Sequence, residues 1–309
     1  MSDLHKPSAG YRGFISIGGN VWPYSNSSLA EKLDIITPSV NGYAGQVGVT
    51  QGSKSREGDI TLPVLGTSML SDLLAYFISE SARTTTRTII IDNTFTRQTF
   101  QGFMRSINVS ASPGAGVEAS IGLMGGIVDE SSSAPVTYAD SSNGDHTDWT
   151  PDSSFVSSYG GSAQIPFWRT KVTSSSGGLA SAGSYWKEVS GWSFSLNNNT
   201  SGTLVTADGS NDPQGFKLHQ GQQTGEGSLT LLNPFVSAAY QHLPDWSDLT
   251  FTISNADGSN AVNVNLLKVV NHTYGPPLPE PNTRITQNIS YTITTGSTSS
   301  ISNILFTLT

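Results

Sequence analysis

Strict alternation of apolar and polar residues constrains this chain more than any other feature. Ile60, Leu62 and Val64 alternate with Asp59, Thr61 and Pro63. Val117, Ala119, Ile121 and Leu123 alternate with Glu118, Ser120 and Gly122. The same rhythm returns in Trp192, Phe194 and Leu196, in Leu249, Phe251 and Ile253, and in Ile289, Tyr291 and Ile293. Period two puts every apolar side chain of such a run on one face. Strands buried on both faces read instead as continuous apolar runs, so these are half-buried antiparallel strands. A chain made of them must pair sheet faces around a core and must do something with its polar faces.

Two segments depart from the alternation. Leu70, Leu73, Leu74, Phe77 and Ile78 recur at helical spacing behind possible caps Thr67 and Ser68. They predict a short amphipathic helix. In residues 233–243, Asn233 is placed as an N-cap and Pro234 as the first helical residue, which predicts a second. The glycine-rich stretches 16–20 and 122–126 precede no helix and read as turns. No apolar run reaches the roughly 18 residues that would cross a membrane as a helix. The start of the chain lacks an apolar h-region, so no cleaved secretory signal is expected.

The 309 residues have room for two domains. "REGDITLPVL" at 56–65 is echoed by "GEGSLTLLN" at 225–233. At an offset of 169, Glu57, Gly58, Ile60, Thr61 and Leu62 fall on Glu226, Gly227, Leu229, Thr230 and Leu231. Val47, Val49, Gln51 and Gly52 fall on Phe216, Leu218, Gln220 and Gly221 without a gap. Further on, Arg105, Ile107 and Asn108 match Lys268, Val270 and Asn271. Strand, helix and strands follow in the same order in both halves, which reads as an internal duplication. The expected division is a domain over 1–128, a linker or arm over 129–166, a second domain over 167–295, and a C-terminal strand over 296–309. The arm is rich in Ser, Gly and Asp. It also carries Tyr138, Trp149, Phe155 and Tyr159, so part of it should lie against a surface.

Charge is uneven. The net charge is −8, yet residues 1–128 balance and 129–166 hold six acids with no base. Such a run reads as solvated chain. No basic patch exists to hold a phosphate backbone, so tight nucleic-acid binding is disfavoured. With no cysteine, disulfides and thiolate metal sites are excluded. Asp145, His146 and Asp148 lie close together but miss the calcium-loop spacing. The other histidines have no paired carboxylates. No set of catalytic roles can be assembled, so neither enzyme activity nor a cofactor or metal is expected.

Taken together, these residues resemble the major tail tube proteins of tailed bacteriophages. The resemblance rests on the N-terminal "GFISIGG" at 13–19, the glycine-bearing loop leading into "GDITLPV", the short helix after it, and a last strand polar on one face, "ITQNISYTIT" at 285–294. It covers 14–125 and 167–294 and is similar to the duplicated form of some long-tailed phages. It implies a mainly β fold: two tandem β-sandwich domains, each with one flanking helix, assembling into a ring β-barrel. It further implies three copies per pseudo-hexameric ring, with rings stacked into a tube in the virion tail, made in the host cytoplasm. The tube would enclose a tape-measure protein, meet tail terminator and distal tail proteins, and conduct DNA without gripping it, with no membrane role. A non-contractile tail is implied by the same resemblance. Candidates for the lumen are Glu57, Asp59, Thr61, Glu118, Glu226, Thr230, Arg284 and Asn288; that they face outside solvent stays open. The polar loops 40–56 and 197–225 are expected to carry ring-to-ring stacking, through Asn41, Tyr43, Lys54, Asn211 and Gln214. Ile304, Phe306 and Leu308 alternate beyond the last family strand and need a sheet edge to join. The alternative reading is another phage or surface β-protein: baseplate, fibre, decoration or carbohydrate-binding module. The dispersed tryptophans argue against a lectin-like face.

Overall fold

The computed structural model describes residues 13–36, 50–79, 85–92, 96–126, 139–140, 163–174, 189–204, 216–219, 221–232, 247–271, 286–293 and 306–308. The first half contributes β1 (Gly13–Ile17), β2 (Asn20–Tyr24), β3 (Asn26–Ser27), β4 (Ala30–Ile36), β5 (Thr50–Pro63), helix α1 (Thr67–Ile78), β6 (Arg87–Asp92), β7 (Thr96–Ala111) and β8 (Glu118–Gly126). A two-residue strand β9 (Ala139–Asp140) follows. After a 3-10 turn at Phe167–Arg169 come β10 (Thr170–Ser174), β11 (Val189–Asn197), β12 (Ser201–Leu204), β13 (Phe216–His219) and β14 (Thr224–Leu232). The chain ends with β15 (Ser247–Ser254), β16 (Ala261–Asn271), β17 (Thr286–Ile293) and β18 (Phe306–Leu308). The fold is mainly β, with one described helix. The second predicted helix, 233–243, lies outside the described residues.

Sixteen strands join into one sheet that does not close into a barrel, while β12 and β13 form a separate hairpin. In the first half the strand order is β5–β8–β7–β6–β1. In the second it is β14–β17–β16–β15–β10. Element by element these are the same path. The short strands agree as well: β9 places Asp140 opposite Thr96 of β7, and β18 places Leu308 opposite Val264 of β16. The C-terminal strand therefore finds the edge its alternation required.

The halves meet by strand pairing. The long β7 gives residues 97–102 of one edge to β6 and residues 106–111 of the same edge to β11. The register on its other edge slips between Met104 and Ser106, a bulge that lets one strand serve two sheets. Asn198, almost fully buried, locks this point. Its backbone N–H donates to Arg105 O at 2.8 Å, its side-chain amide donates to Met104 O at 3.4 Å, and Gln223 Nε2 donates to its Oδ1 at 2.6 Å.

The apolar positions of the alternating runs form the core. Leu62, Ala119, Val109 and Phe194 occupy one register row across β5, β8, β7 and β11, and all are buried. Helix α1 seals this face with Leu70, Leu73, Leu74 and Phe77. In the second half Phe194, Trp192 and Phe251 cluster, with ring centroids 5.0–6.0 Å apart.

Several expectations are corrected. Neither Thr67 nor Ser68 caps α1: the N-cap is Gly66, with no side-chain cap of its own. The cap comes from the other half of the chain, where Asn255 Oδ1, in the β15–β16 turn, accepts the Thr67 N–H at 2.8 Å. Asn255→Ala should cost about 1–2 kcal/mol in thermal denaturation, while Ser68→Ala, exposed and uninvolved, should cost nothing measurable. Residues 122–126, read as a turn, lie inside β8. Residues 50–56, read as loop, are the first part of β5 and pair with β4. Part of 197–225 is likewise strand, in β12 and β13. The 16–20 stretch does turn: Gly18 and Gly19 have φ of 57° and 92°, joining β1 to β2 in a two-residue hairpin.

The end of the arm is stitched to the first half. Val117 N–H donates to Ile165 O at 2.7 Å, Ile165 N–H donates to Val64 O at 2.9 Å, and the Ile165 side chain is fully buried. With β9 on β7, these are the described parts of the arm that lie against the first half; Tyr138, Trp149, Phe155 and Tyr159 lie outside the described residues.

Candidate functional site: a polar face across both halves

The face opposite the core is polar from β5 to β17 without interruption at the seam between the halves. One register row reads Thr61, Ser120, Asn108, Ser195, Glu226 and Thr292 across β5, β8, β7, β11, β14 and β17. The next reads Pro63, Glu118, Ser110, Ser193, Ser228 and Ser290. The alternation that buries Ile121, Val109, Phe194, Leu229 and Ile289 turns these hydroxyls and amides outward. The first row from β8 to β17 and the second from β11 to β17 line a shallow concavity of about 590 Å³ that includes Asp59, Asn108, Ser195, Glu226 and Ser290.

The groups on this face largely satisfy each other. Ser193 and Ser228 share a hydroxyl–hydroxyl hydrogen bond of 2.9 Å, and the Thr230 hydroxyl donates to Asn288 Oδ1 at 3.0 Å. Arg105, at the bulge of β7, makes an ion pair with Glu57. Both partners are partly exposed, so the pair adds little to stability, on the order of 1 kcal/mol or less. What it does is neutralise the guanidinium on the face. Asp59, Glu118 and Glu226 remain as acids there, Asp59 on β5 beside β8 and Glu226 on β14 beside β11. At the rim of the concavity the Tyr291 ring is buried over Gly227, and its hydroxyl donates to Ser193 O at 2.9 Å. Burial pushes the phenol well above its ordinary range, so it stays a donor.

Most of the sequence-predicted residues come together here. Glu57, Asp59, Thr61 and Glu118 lie on the first half's part of the face, and Glu226, Thr230 and Asn288 on the second half's part. Arg284 lies outside the described residues. Of the residues expected in inter-ring loops, Asn41, Tyr43, Asn211 and Gln214 also lie outside them. Lys54 is not in a loop: it sits opposite Leu33 in the β4–β5 ladder. Sequence reading did not single out Ser106, Asn108, Ser195 or Ser228. Parity could have found them, since each is one residue from a buried apolar neighbour and so points to the opposite face. Among the described residues no three His, Asp or Glu side chains gather to hold a metal, and no helix is long and apolar enough to cross a membrane. The Asp145, His146 and Asp148 group lies outside the described residues.

Residues 29–294 match the family described as phage tail tube protein. No curated protein matches the chain. Among solved structures it is similar to the anti-feeding prophage cap, described as a tube terminating cap, with 16% identity over 48% of this chain and 91% of that one, at a TM-score of 0.32. It is also similar to the Dit protein of SPP1, described as a paradigm of the hub adsorption apparatus in Gram-positive infecting phages. There the identity is 8% over 91% of this chain and 98% of that one, at a TM-score of 0.27. At such scores neither likeness bears on the argument. The family match spans most of the chain, and with the mainly β fold and its continuous polar face it supports one conclusion: the chain belongs to the phage tail tube protein family.

Proposed function

We propose that this phage tail structural protein forms the wall of the tail tube, with the polar face of β5, β8, β7, β11, β14 and β17 turned to the lumen. In this reading each chain supplies two ring positions, three chains complete a pseudo-hexameric ring, and rings stack into a tube. The tube encloses the tape-measure protein during assembly and later conducts DNA. The observation that carries the reading is the unbroken run of hydroxyls, amides and carboxylates across the seam between two halves of identical strand order. A repeated unit presenting one continuous face is what a ring requires, and head-to-tail stacking of rings does not close, so it makes a filament. The face also suits passage. Its described cation, Arg105, is held by Glu57, and each free cation would instead bind a phosphate and slow transit.

Electron microscopy of the assembled protein tests the ring: the expected result is stacked rings of sixfold appearance holding three chains each. The lumen assignment has its own test. Ser195→Lys and Asn108→Lys together should leave tube length unchanged and slow DNA release from assembled particles. Release at the parental rate would put this face on the outside. Whether the repeat arose by duplication, with units over 1–128 and 167–295, belongs to the same proposal and is supported by the matched strand paths.

A further inference from the structure

Resting on the ring reading, the structure assigns the seam between neighbouring chains to the outer edge of β3 and β4. β11 is the strand through which the second half meets the first. Matching Glu57 to Glu226, the partner of Glu57 in the ladder is Ala30 and the partner of Glu226 is Ser195. Likewise Thr61 faces Asn26 and Thr230 faces Gly191. Residues 26–30 therefore hold the place in the first half that 191–195 hold in the second. The contacts beneath them agree: a side chain on Gly58 would strike Ser28 O, and one on Gly227 would strike Ser193 O.

The two strands differ in what lies on their other edge. That of β11 is filled by β7, with Trp192 to Asn197 paired to Ala111 to Ser106. That of β3 and β4 pairs with no strand among the described residues. Asn26, Ser27, Ser28 and Ala30 are exposed. Ser28 N–H donates to Asp59 O at 2.9 Å. Leu29 N–H donates to Ser27 Oγ at 3.3 Å, and alternation along the antiparallel ladder points the N–H group of Glu31 away from β5. An edge of this kind is a template for another strand.

The occupant that fits is a second copy of this chain. What β7 is to the first half, lying between β6 and β8, β16 is to the second, lying between β15 and β17. The β15 partner of β16 ends at Val269, and among the described residues nothing pairs with Val270 or Asn271 on that side. The C-terminal end of β16 in one copy thus meets the β3–β4 edge of the next, repeating the internal β7–β11 seam between chains.

Glu31→Pro tests this, because it removes an outward N–H while sparing the ladder to β5, and proline is tolerated at a sheet edge. The expected result is a chain that folds and melts like the parent but stays monomeric where the parent forms rings. Hydrogen exchange on the unmutated protein gives a second reading. The Glu31 amide should exchange freely in the monomer and roughly tenfold or more slowly in the ring. If Glu31→Pro assembles as the parent does, or the Glu31 amide is equally protected in monomer and ring, the seam lies elsewhere and the tube reading stands. If Glu31→Pro fails to fold, the exchange measurement alone decides. If the unmutated protein forms no rings at any concentration, the tube reading itself fails and this seam with it.

Discussion

Phe194→Ala is expected to lower the folding free energy by about 3–5 kcal/mol. Phe194 is fully buried and stacks on Trp192 at 6.0 Å while tilting against Phe251 at 5.4 Å. It also sits on β11, opposite Val109 of the first half and Gly227 of the second. The strands on either side are held by their ladders, so they cannot move in to fill the space, and most of the cavity would remain. The loss should appear in chemical denaturation as a lower midpoint with an unchanged slope. Because the residue belongs to the seam, both halves should unfold in the same step. A separate transition for the second half alone would mean that the β7–β11 pairing does not couple them.

Gly227→Ala should cost about 1–3 kcal/mol by overpacking. An added Cβ would meet the Tyr291 hydroxyl and Ser193 O within van der Waals contact distance. Relief requires moving either a buried ring or the backbone of β11. Moving the ring breaks the bond from its hydroxyl to Ser193 O. Gly58→Ala should behave alike, since its Cβ would lie 2.6 Å from the Leu29 Cα and 2.7 Å from Ser28 O. The paired measurement is informative: thermal melts of both variants should shift by similar amounts. A neutral Gly58→Ala beside a costly Gly227→Ala would show that the two edges are not held equally. These contacts also explain why a Glu–Gly pair heads both copies of the repeated motif. The glutamate faces the polar side, and the glycine lets a neighbouring strand pass close on the other.

The strands were legible because alternation is a local property written in consecutive letters. Ile60, Trp192, Phe251 and Ile289 could be placed on the core face without knowing any partner. What stayed hidden was set by contacts distant in sequence. The residues at 50–56 have the Gly, Ser and Lys content of a loop, yet pairing with β4 makes them strand. The glycines of 122–126 suggested a turn, but Gly122 and Gly125 lie where a side chain would strike Ser106 and Phe100. The cap of α1 comes from Asn255, 188 residues away, and no local pattern announces it. The strand paths of the two halves match, but not every letter of the sequence echo does. The Asn108–Asn271 match fails: Asn108 faces Ser120, whereas Asn271 faces Tyr291, not the Asn288 that takes the place of Ser120 at an offset of 168. For the polar face, parity located Asp59 and Glu226 singly, but their union across the β7–β11 seam is a property of the fold.

That seam has a consequence for how assembly depends on protein concentration. A contact between separate chains is diluted as the protein is diluted, whereas β7 and β11 belong to one covalent chain. Tethered partners experience effective concentrations in the millimolar range, far above those of a subunit free in a cell. In the proposed ring, joining two positions in one chain would make every second contact during folding, before any encounter. Only the remaining contacts need collisions, so nucleation involves fewer bodies, and a half-built ring has fewer joints at which to come apart.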